Sequence, residues 1–275
     1  MIGKIAVLGG DKRQGCLAQM LCLEGYEAQL LFCGENATKK EAFKALGEAD
    51  AIILPLPATR DGVTLNAPNF DESILLSDIL EACQDKPILS GGSWASAEAR
   101  VIDYADRGEF KIKNGLTTAE GAIALAIDKT NRTLAGSRAL VIGYGYIGKP
   151  LARMLDSMGA IVTASARKTT DLAYIEANGI DAVHTQNIAS VIGECDIIFN
   201  TVPAPVLGKR ELAYCKSEAL IIELASSPGG IDTTTAGRLG INIINAPSLP
   251  GKTAPYSAAG YIKETVLNIF KEMEL

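Results

Sequence analysis

The sequence predicts an α/β protein of two domains, each built on a parallel sheet, and three observations carry the prediction. Short apolar runs alternate with helical patterns along the whole chain, as parallel sheets covered on both faces require. The stretch from Arg138 to Gly148 runs an apolar strand straight into Gly143-Tyr-Gly145-Tyr146-Ile147-Gly148, a G-x-G-x-x-G turn with an amphipathic helix behind it. A chain of 275 residues, 48% of them hydrophobic, has the length for two cores at about 150 residues each. Together these give two Rossmann-like domains, the second a dinucleotide-binding fold, over residues 1–128 and 129–275.

In the first half, apolar runs at 5–8, 28–32, 51–54 and 87–90 read as strands, with a further short strand at 110–113. Helices are expected between them at 14–24, 39–46, 71–83 and 93–107, and Asp71 places an acid at the positive end of its helix dipole. Residues 117–129 are Ala-rich and apolar at helical spacing, with Thr117 or Thr118 as cap, and are expected to bridge the domains. Strands at 138–142, 161–166, 181–184, 196–199, 220–223 and 241–244 follow. The helix after Gly148 puts Ile147, Leu151, Leu155 and Met158 on one face. The last helix, 257–271, carries Ala258, Tyr261, Ile262, Val266, Ile269 and Phe270 as a stripe suited to packing back on the first domain.

A net charge of −6 argues against nucleic-acid and membrane-surface partners, which want a basic face. The chain opens directly on a strand, without signal-peptide features, and no apolar run reaches the roughly 18 to 20 residues of a membrane helix, so a cytoplasmic protein is expected. The six cysteines lack C-x-x-C spacing and read as reduced, buried hydrophobes. With His184 the sole histidine, no metal site is expected.

The glycine turn assigns the cofactor. Gly143 permits the tight turn, Gly145 lets a pyrophosphate approach the backbone, and Gly148 lets helix pack on strand, while Tyr146 and Ile147 lead into a helix N-terminus that offers free N–H groups to phosphate. An NAD enzyme places an acid about 20 residues further on. This chain has Ser165-Ala-Arg167-Lys168 there, a hydroxyl and two cations suited to a 2′-phosphate, so NADP is favoured over NAD. Thr201, Val202 and Pro203 leave a later strand where the nicotinamide side of such a cofactor lies. His184 ends a strand on the adenine side, where a stacking or structural role is expected.

Substrate residues should lie in loops leaving the C-terminal ends of the strands. Asp11, Arg13 and Gln14 follow the first strand beside two glycines, where N–H groups and a guanidinium could bind a carboxylate, or where Asp11 could simply cap the next helix. Arg60 sits in a proline-stiffened loop, Ser93 in a glycine loop where it could also be a helix cap, and Lys252 in a Pro/Gly-rich loop. Lys252 is a candidate to hold a carboxylate or supply a proton, and Asp11 and Glu120 are candidate bases.

Taken together, Gly9-Gly-Asp11-Lys-Arg13-Gln14, Leu54-Pro-Leu-Pro57, Thr118-Ala-Glu120-Gly-Ala-Ile123, the glycine turn, Asn200-Thr-Val-Pro203 and Pro247-Ser-Leu-Pro-Gly-Lys-Thr-Ala-Pro255 resemble the dipicolinate synthase A-subunit family over essentially the whole chain. The resemblance implies an enzyme of a spore-former's mother-cell cytoplasm, at a branch of the lysine pathway. It implies oxidation of dihydrodipicolinate, or of 4-hydroxytetrahydrodipicolinate, to dipicolinate, alongside the flavoprotein-like B-subunit of dipicolinate synthase. A small dicarboxylate would then dock on Arg13, Arg60 and Lys252. No catalytic residue carries over from the family. A homo-oligomer is expected. Two rivals stand beside it: another NADP-dependent dehydrogenase of the alanine or 2-hydroxy-acid type, weakened by the position of His184, and a non-catalytic nucleotide-binding protein that partners a flavoprotein.

Overall fold

The computed structural model describes residues 2–34, 38–92, 94 and 100–274. In chain order the elements begin with β1 (Lys4–Leu8), α1 (Lys12–Leu23), β2 (Glu27–Leu31), α2 (Lys39–Glu48), β3 (Ala51–Ile53), α3 (Leu76–Ala82), β4 (Ile88–Ser90), β5 (Val101–Asp103) and α4 (Gly108–Lys129). They continue with β6 (Arg138–Ile142), α5 (Gly148–Ser157), β7 (Ile161–Ala166), α6 (Thr169–Ala177), β8 (Asp181–His184), β9 (Ile197–Asn200) and α7 (Lys209–Leu212). The chain ends with β10 (Leu220–Glu223), α8 (Thr233–Leu239), β11 (Asn242–Asn245), α9 (Leu249–Thr253) and α10 (Pro255–Glu272).

Two compact units result, Met1–Asn114 with Ala254–Leu275, and Gly115–Thr253. The division falls inside α4; the sequence-based boundary of 128/129 lies at the far end of that helix.

The N-terminal unit holds a parallel sheet in the order β2-β1-β3-β4-β5. Side chains alternate across it as the strand period of two demands. Ala6, Leu8 and Ile52 pack on one face with Leu46, Ile74 and Ile79, whereas Ile5, Val7 and Ile53 pack on the other with Leu17 and Leu21 of α1 and Ile262, Val266 and Ile269 of α10. The apolar stripe of the last helix is thus spent inside this unit.

Two expectations are corrected here. Residues 110–113 are not a strand: they lie in the first turns of α4, where Phe110 is buried edge-to-face on Tyr104 at 5.6 Å. The period-two pattern of four residues yields to the longer helical pattern into which it runs. The helix expected at 93–107 is replaced over 101–106 by β5 and a 3-10 turn, because Val101 and Ile102 complete the sheet edge beside β4. Ser93 and residues 95–99 lie outside the described residues.

The second unit carries a parallel sheet in the order β11-β10-β9-β6-β7-β8. Val141, Phe199 and Ile222 pack on one face with Ala119, Ala122 and Ala126 of α4 and Leu151 and Leu155 of α5; Leu140, Ile142, Ile198 and Ile221 pack on the other with Ile188, Leu212 and Ala236. Cys83 and Cys195 are buried as expected, their thiols pushed up by burial to about 11 and about 12, whereas Cys22 is exposed, contrary to the reading of all six as buried. Among the described residues no helix is long and apolar enough to cross a membrane.

Candidate functional site

The strand order of the second sheet reverses between β6 and β9, which opens a crevice at their C-terminal ends. The glycine turn leaves β6 into it. Gly143 has φ +95°, and a Cβ there would lie 2.5 Å from Thr201 Oγ1. A Cβ on Gly148 would lie 1.9 Å from the Gly143 carbonyl oxygen, so helix and strand close only over a hydrogen. Nothing stands within 4 Å of a Cβ on Gly145, which leaves its side of the turn open. No side chain caps the start of α5, so its first N–H groups keep their capacity for an anion.

The cleft above this turn has a volume of about 1220 Å³. Gly143, Tyr144, Gly145, Tyr146 and Ile147 form one wall and Thr201, Val202 and Pro203 another. Arg167 and Lys168 line it as exposed cations. Space, open glycine and cationic rim fit a dinucleotide. Ser165 does not line the cleft. It is fully buried at the end of β7, its carbonyl accepting the Gly143 N–H at 3.1 Å and its hydroxyl 3.4 Å from Thr185 Oγ1, so it holds the turn and its hydroxyl is not offered to a 2′-phosphate. His184 accepts the Gln186 N–H on Nδ1 at 3.3 Å, and its Nε2 lies 3.2 Å from the Arg167 carbonyl oxygen. It lines the cleft beside Arg167 and Lys168.

Three charged groups of the cleft, Asp171, Arg210 and Glu211, escaped the sequence reading. Asp171, in the first turn of α6, lines it and lies 3.9 Å from Lys149 Nζ; Arg210, on α7, lines the wall beyond Pro205. Asp171 sits four residues past Arg167, beyond the position where the acid of a glycine-turn domain is sought.

Below the Thr201–Pro203 segment lies a buried polar pair. Asn200 Nδ2 donates to both oxygens of Glu223, at 2.8 and 3.0 Å, and to the Val202 carbonyl at 3.1 Å. Glu223 also accepts the N–H groups of Ala225 at 3.0 Å and Gly230 at 2.9 Å. Thr201 Oγ1 donates to the Ile142 carbonyl at 2.8 Å. The loops after β9 and β10 are thereby fixed to each other and to β6.

Glu120 does not reach this cleft. Ala119, Ala122 and Ala126 are the buried face of α4, so Glu120 is turned outward, into an apolar groove with Leu116, Ile127, Pro150, Arg153 and Met158. Lys252 is exposed, and its segment is the short helix α9 where a loop was expected.

In the N-terminal unit the structure brings Asp11, Arg13, Gln14 and Arg60 together at the turns leaving β1 and β3. Arg13 is buried; its Nε and Nη2 donate to the two oxygens of Asp11, each at 2.8 Å, and Nη2 also donates to the Leu56 carbonyl at 2.5 Å. The fork is thus turned inward onto the protein, which corrects the expectation of a carboxylate dock. Asp11 caps α1 by accepting the Arg13 backbone N–H at 3.0 Å. Partial burial works to raise the Asp11 pKa, but the hydrogen bonds and charge of Arg13, with the charge of Arg60, outweigh it and hold the carboxyl below its ordinary value. As a proton acceptor Asp11 is weak, against the expectation of a base. Arg60 is exposed, with Nε donating to Asn66 Oδ1 at 3.2 Å. Ser93 lies outside the described residues.

Glycine turn, strand order and cleft define a dinucleotide-binding domain, and the match of residues 116–229 to the family model of the D-isomer specific 2-hydroxyacid dehydrogenase NAD binding domain makes the class that of an oxidoreductase. Residues 4–112 match the N-terminal domain of the dipicolinate synthase A-subunit. The chain is 31% identical to the dipicolinate synthase A-subunit of Bacillus subtilis (strain 168), over 98% of this chain and 97% of that one. It superposes on the crystal structure of the dipicolinate synthase A-subunit from Bacillus halodurans with a TM-score of 0.87 at 28% identity, covering 97% of each chain. The Bacillus subtilis structure gives 0.85 at 29% identity, covering 100% of this chain and 97% of that one. The chain belongs to the dipicolinate synthase A-subunit family.

Proposed function

We propose that the second unit binds NADP and that the chain oxidises dihydrodipicolinate to dipicolinate, directly or after the 4-hydroxytetrahydro compound has lost water. The observation that carries the reading is the cleft itself, a glycine turn open at Gly145 facing a rim of Arg167 and Lys168, in a chain of this family. Oxidation of the ring removes one hydride and one proton; the nicotinamide, when bound, supplies the hydride acceptor. Aromatisation favours the reaction, so the protein's work is to bind and orient rather than to supply a strong base. Val202 and Pro203, fixed from below by Asn200 and Glu223, form the wall that orients the cofactor. Arg60 is the cation we assign to a substrate carboxylate. Membership of an A-subunit family implies a second, different polypeptide in the complex. We assign that role to the B-subunit of dipicolinate synthase, in a homo-oligomeric assembly in the mother-cell cytoplasm of a spore-former.

Mixing the chain with NADP and enzymatically made dihydrodipicolinate, with and without the B-subunit, tests the reading. Reduced cofactor and the ultraviolet absorption of dipicolinate should rise together; absence of both in every combination removes the catalytic reading.

Asp171 favours a second reading, in which NAD is the cofactor and this carboxylate takes the ribose hydroxyls. The two part at Arg167. Arg167→Ala should weaken NADP binding on the order of tenfold or more and leave NAD binding nearly unchanged, because a charge-assisted contact to the 2′-phosphate exists only for NADP. Equal losses for both nucleotides would favour Asp171 as the selecting group.

A further inference from the structure

The N-terminal sheet also reverses its strand order, between β1 and β3, and such a reversal opens a crevice at the C-terminal strand ends where ligands bind. The turns leaving those two strands close over one side chain. Gln14, in the first turn of α1, is 0% exposed, and neither its Oε1 nor its Nε2 has a hydrogen-bond partner. A Cβ placed on Gly10 would lie 2.5 Å from Gln14 Oε1 and 2.7 Å from Pro55 Cβ, so the amide is held between the β1 turn and the β3 turn. Other polar side chains at these strand ends have partners of their own. Arg13 donates to Asp11 and Leu56, Tyr104 Oη donates to the Leu54 carbonyl at 3.1 Å, and Ser90 Oγ donates to the Gly92 carbonyl at 2.5 Å.

Buried amides are almost always paired, because an unpaired one forfeits its hydration with nothing in return. Local rules of this kind are broken chiefly at functional sites. We propose that the crevice between β1 and β3 is a ligand site for the carboxylate of a small ring acid, read by the Gln14 carboxamide, whose Nε2–H groups donate to the carboxylate oxygen. The inference rests on the reading of the substrate as a ring dicarboxylate. Access requires the Gly10 and Pro55 turns to part by about one hydrogen-bond length, roughly 3 Å. A neutral amide supplies direction and no charge; the exposed guanidinium of Arg60, close enough to act on the Asp11 carboxyl, supplies the attraction at the mouth.

Gln14→Met keeps an unbranched side chain and removes both polar atoms. The ligand-free variant, as the full chain, should melt at or above the temperature of the unaltered protein. A melting point several degrees lower would show that an enclosed water already satisfies the amide, and would overturn the proposal. In calorimetry, dipicolinate should bind the variant at least tenfold more weakly while NADP affinity stays the same, and KM for the dihydro substrate should rise to match. Dipicolinate affinity that is unchanged, or undetectable in the unaltered chain, overturns the site. If dipicolinate binding depends on Gln14 but the unaltered chain turns over no substrate, the dehydrogenase reading falls and the site stands; turnover with Gln14-independent binding gives the reverse.

Discussion

The Gly148→Ala chain should lose cofactor binding and part of the stability of its second unit. The added methyl would sit 1.9 Å from the Gly143 carbonyl oxygen, and Gly143 cannot retreat, because it is itself closed in by Thr201 and Val202. Overpacking of this kind costs about 1–3 kcal/mol, which lowers the melting temperature of a unit this size by roughly 3–10 °C. Pushing the turn away from α5 also spoils the presentation of N–H groups to the pyrophosphate, so nucleotide affinity should fall by roughly a hundredfold. Gly145→Ala is the control. Its methyl meets no protein atom within 4 Å, so the melting temperature should hold while nucleotide affinity drops, the methyl standing in the ligand's space. Melting curves and nucleotide titrations on both variants check this; a Gly148→Ala chain of unaltered stability would mean that the turn and the helix do not close as described.

Glu223→Ala should be the most destabilising single change in the unit. Truncation leaves the N–H groups of Ala225 and Gly230 without their acceptor and the Asn200 amide with only the Val202 carbonyl, in a region where Asn200 is fully buried and Glu223 nearly so. With unpaired buried donors costing about 1–3 kcal/mol each, and incomplete relaxation by water, a loss of about 3–5 kcal/mol is expected in urea denaturation. Glu223→Gln should recover part of it, since one oxygen still accepts while the new NH2 opposes existing donors. Because Asn200 also positions Val202, accepting its N–H at 3.1 Å, the loss should extend to nucleotide affinity. A Glu223→Ala chain within about 1 kcal/mol of the unaltered protein would show that solvent readily replaces the carboxylate.

The second unit was the more legible in the sequence. The windows 138–142, 161–166, 181–184 and 220–223 coincide with β6, β7, β8 and β10, because each is a short run bounded by turn residues, and β6 and β10 are apolar nearly throughout. The glycine turn was legible for the same reason: its requirements are local, set by φ and by the approach of one helix to one strand. The N-terminal unit was less so. Residues 101–103 form a strand only because β4 offers an edge, and 110–113 enter a helix only because the chain continues into α4. Site chemistry was least legible of all. Arg13 reads as a free guanidinium until the Leu56 carbonyl, 43 residues away, takes it up. Ser165 reads as a cofactor hydroxyl until the turn after β6 closes over it. Glu120 falls on the outward side of its helix because the sheet takes the alanine face. In each case the fate of the side chain is decided by a loop or sheet distant in sequence.

On the proposed function, the cleft between the β6 and β9 turns holds a nicotinamide dinucleotide, with the 2′-phosphate on Arg167 and Lys168. Calorimetric titration of the unaltered chain with NADP and with NAD tests it most directly. Saturable binding at one site per chain, tighter for NADP, is the predicted result; no heat with either nucleotide would contradict the account.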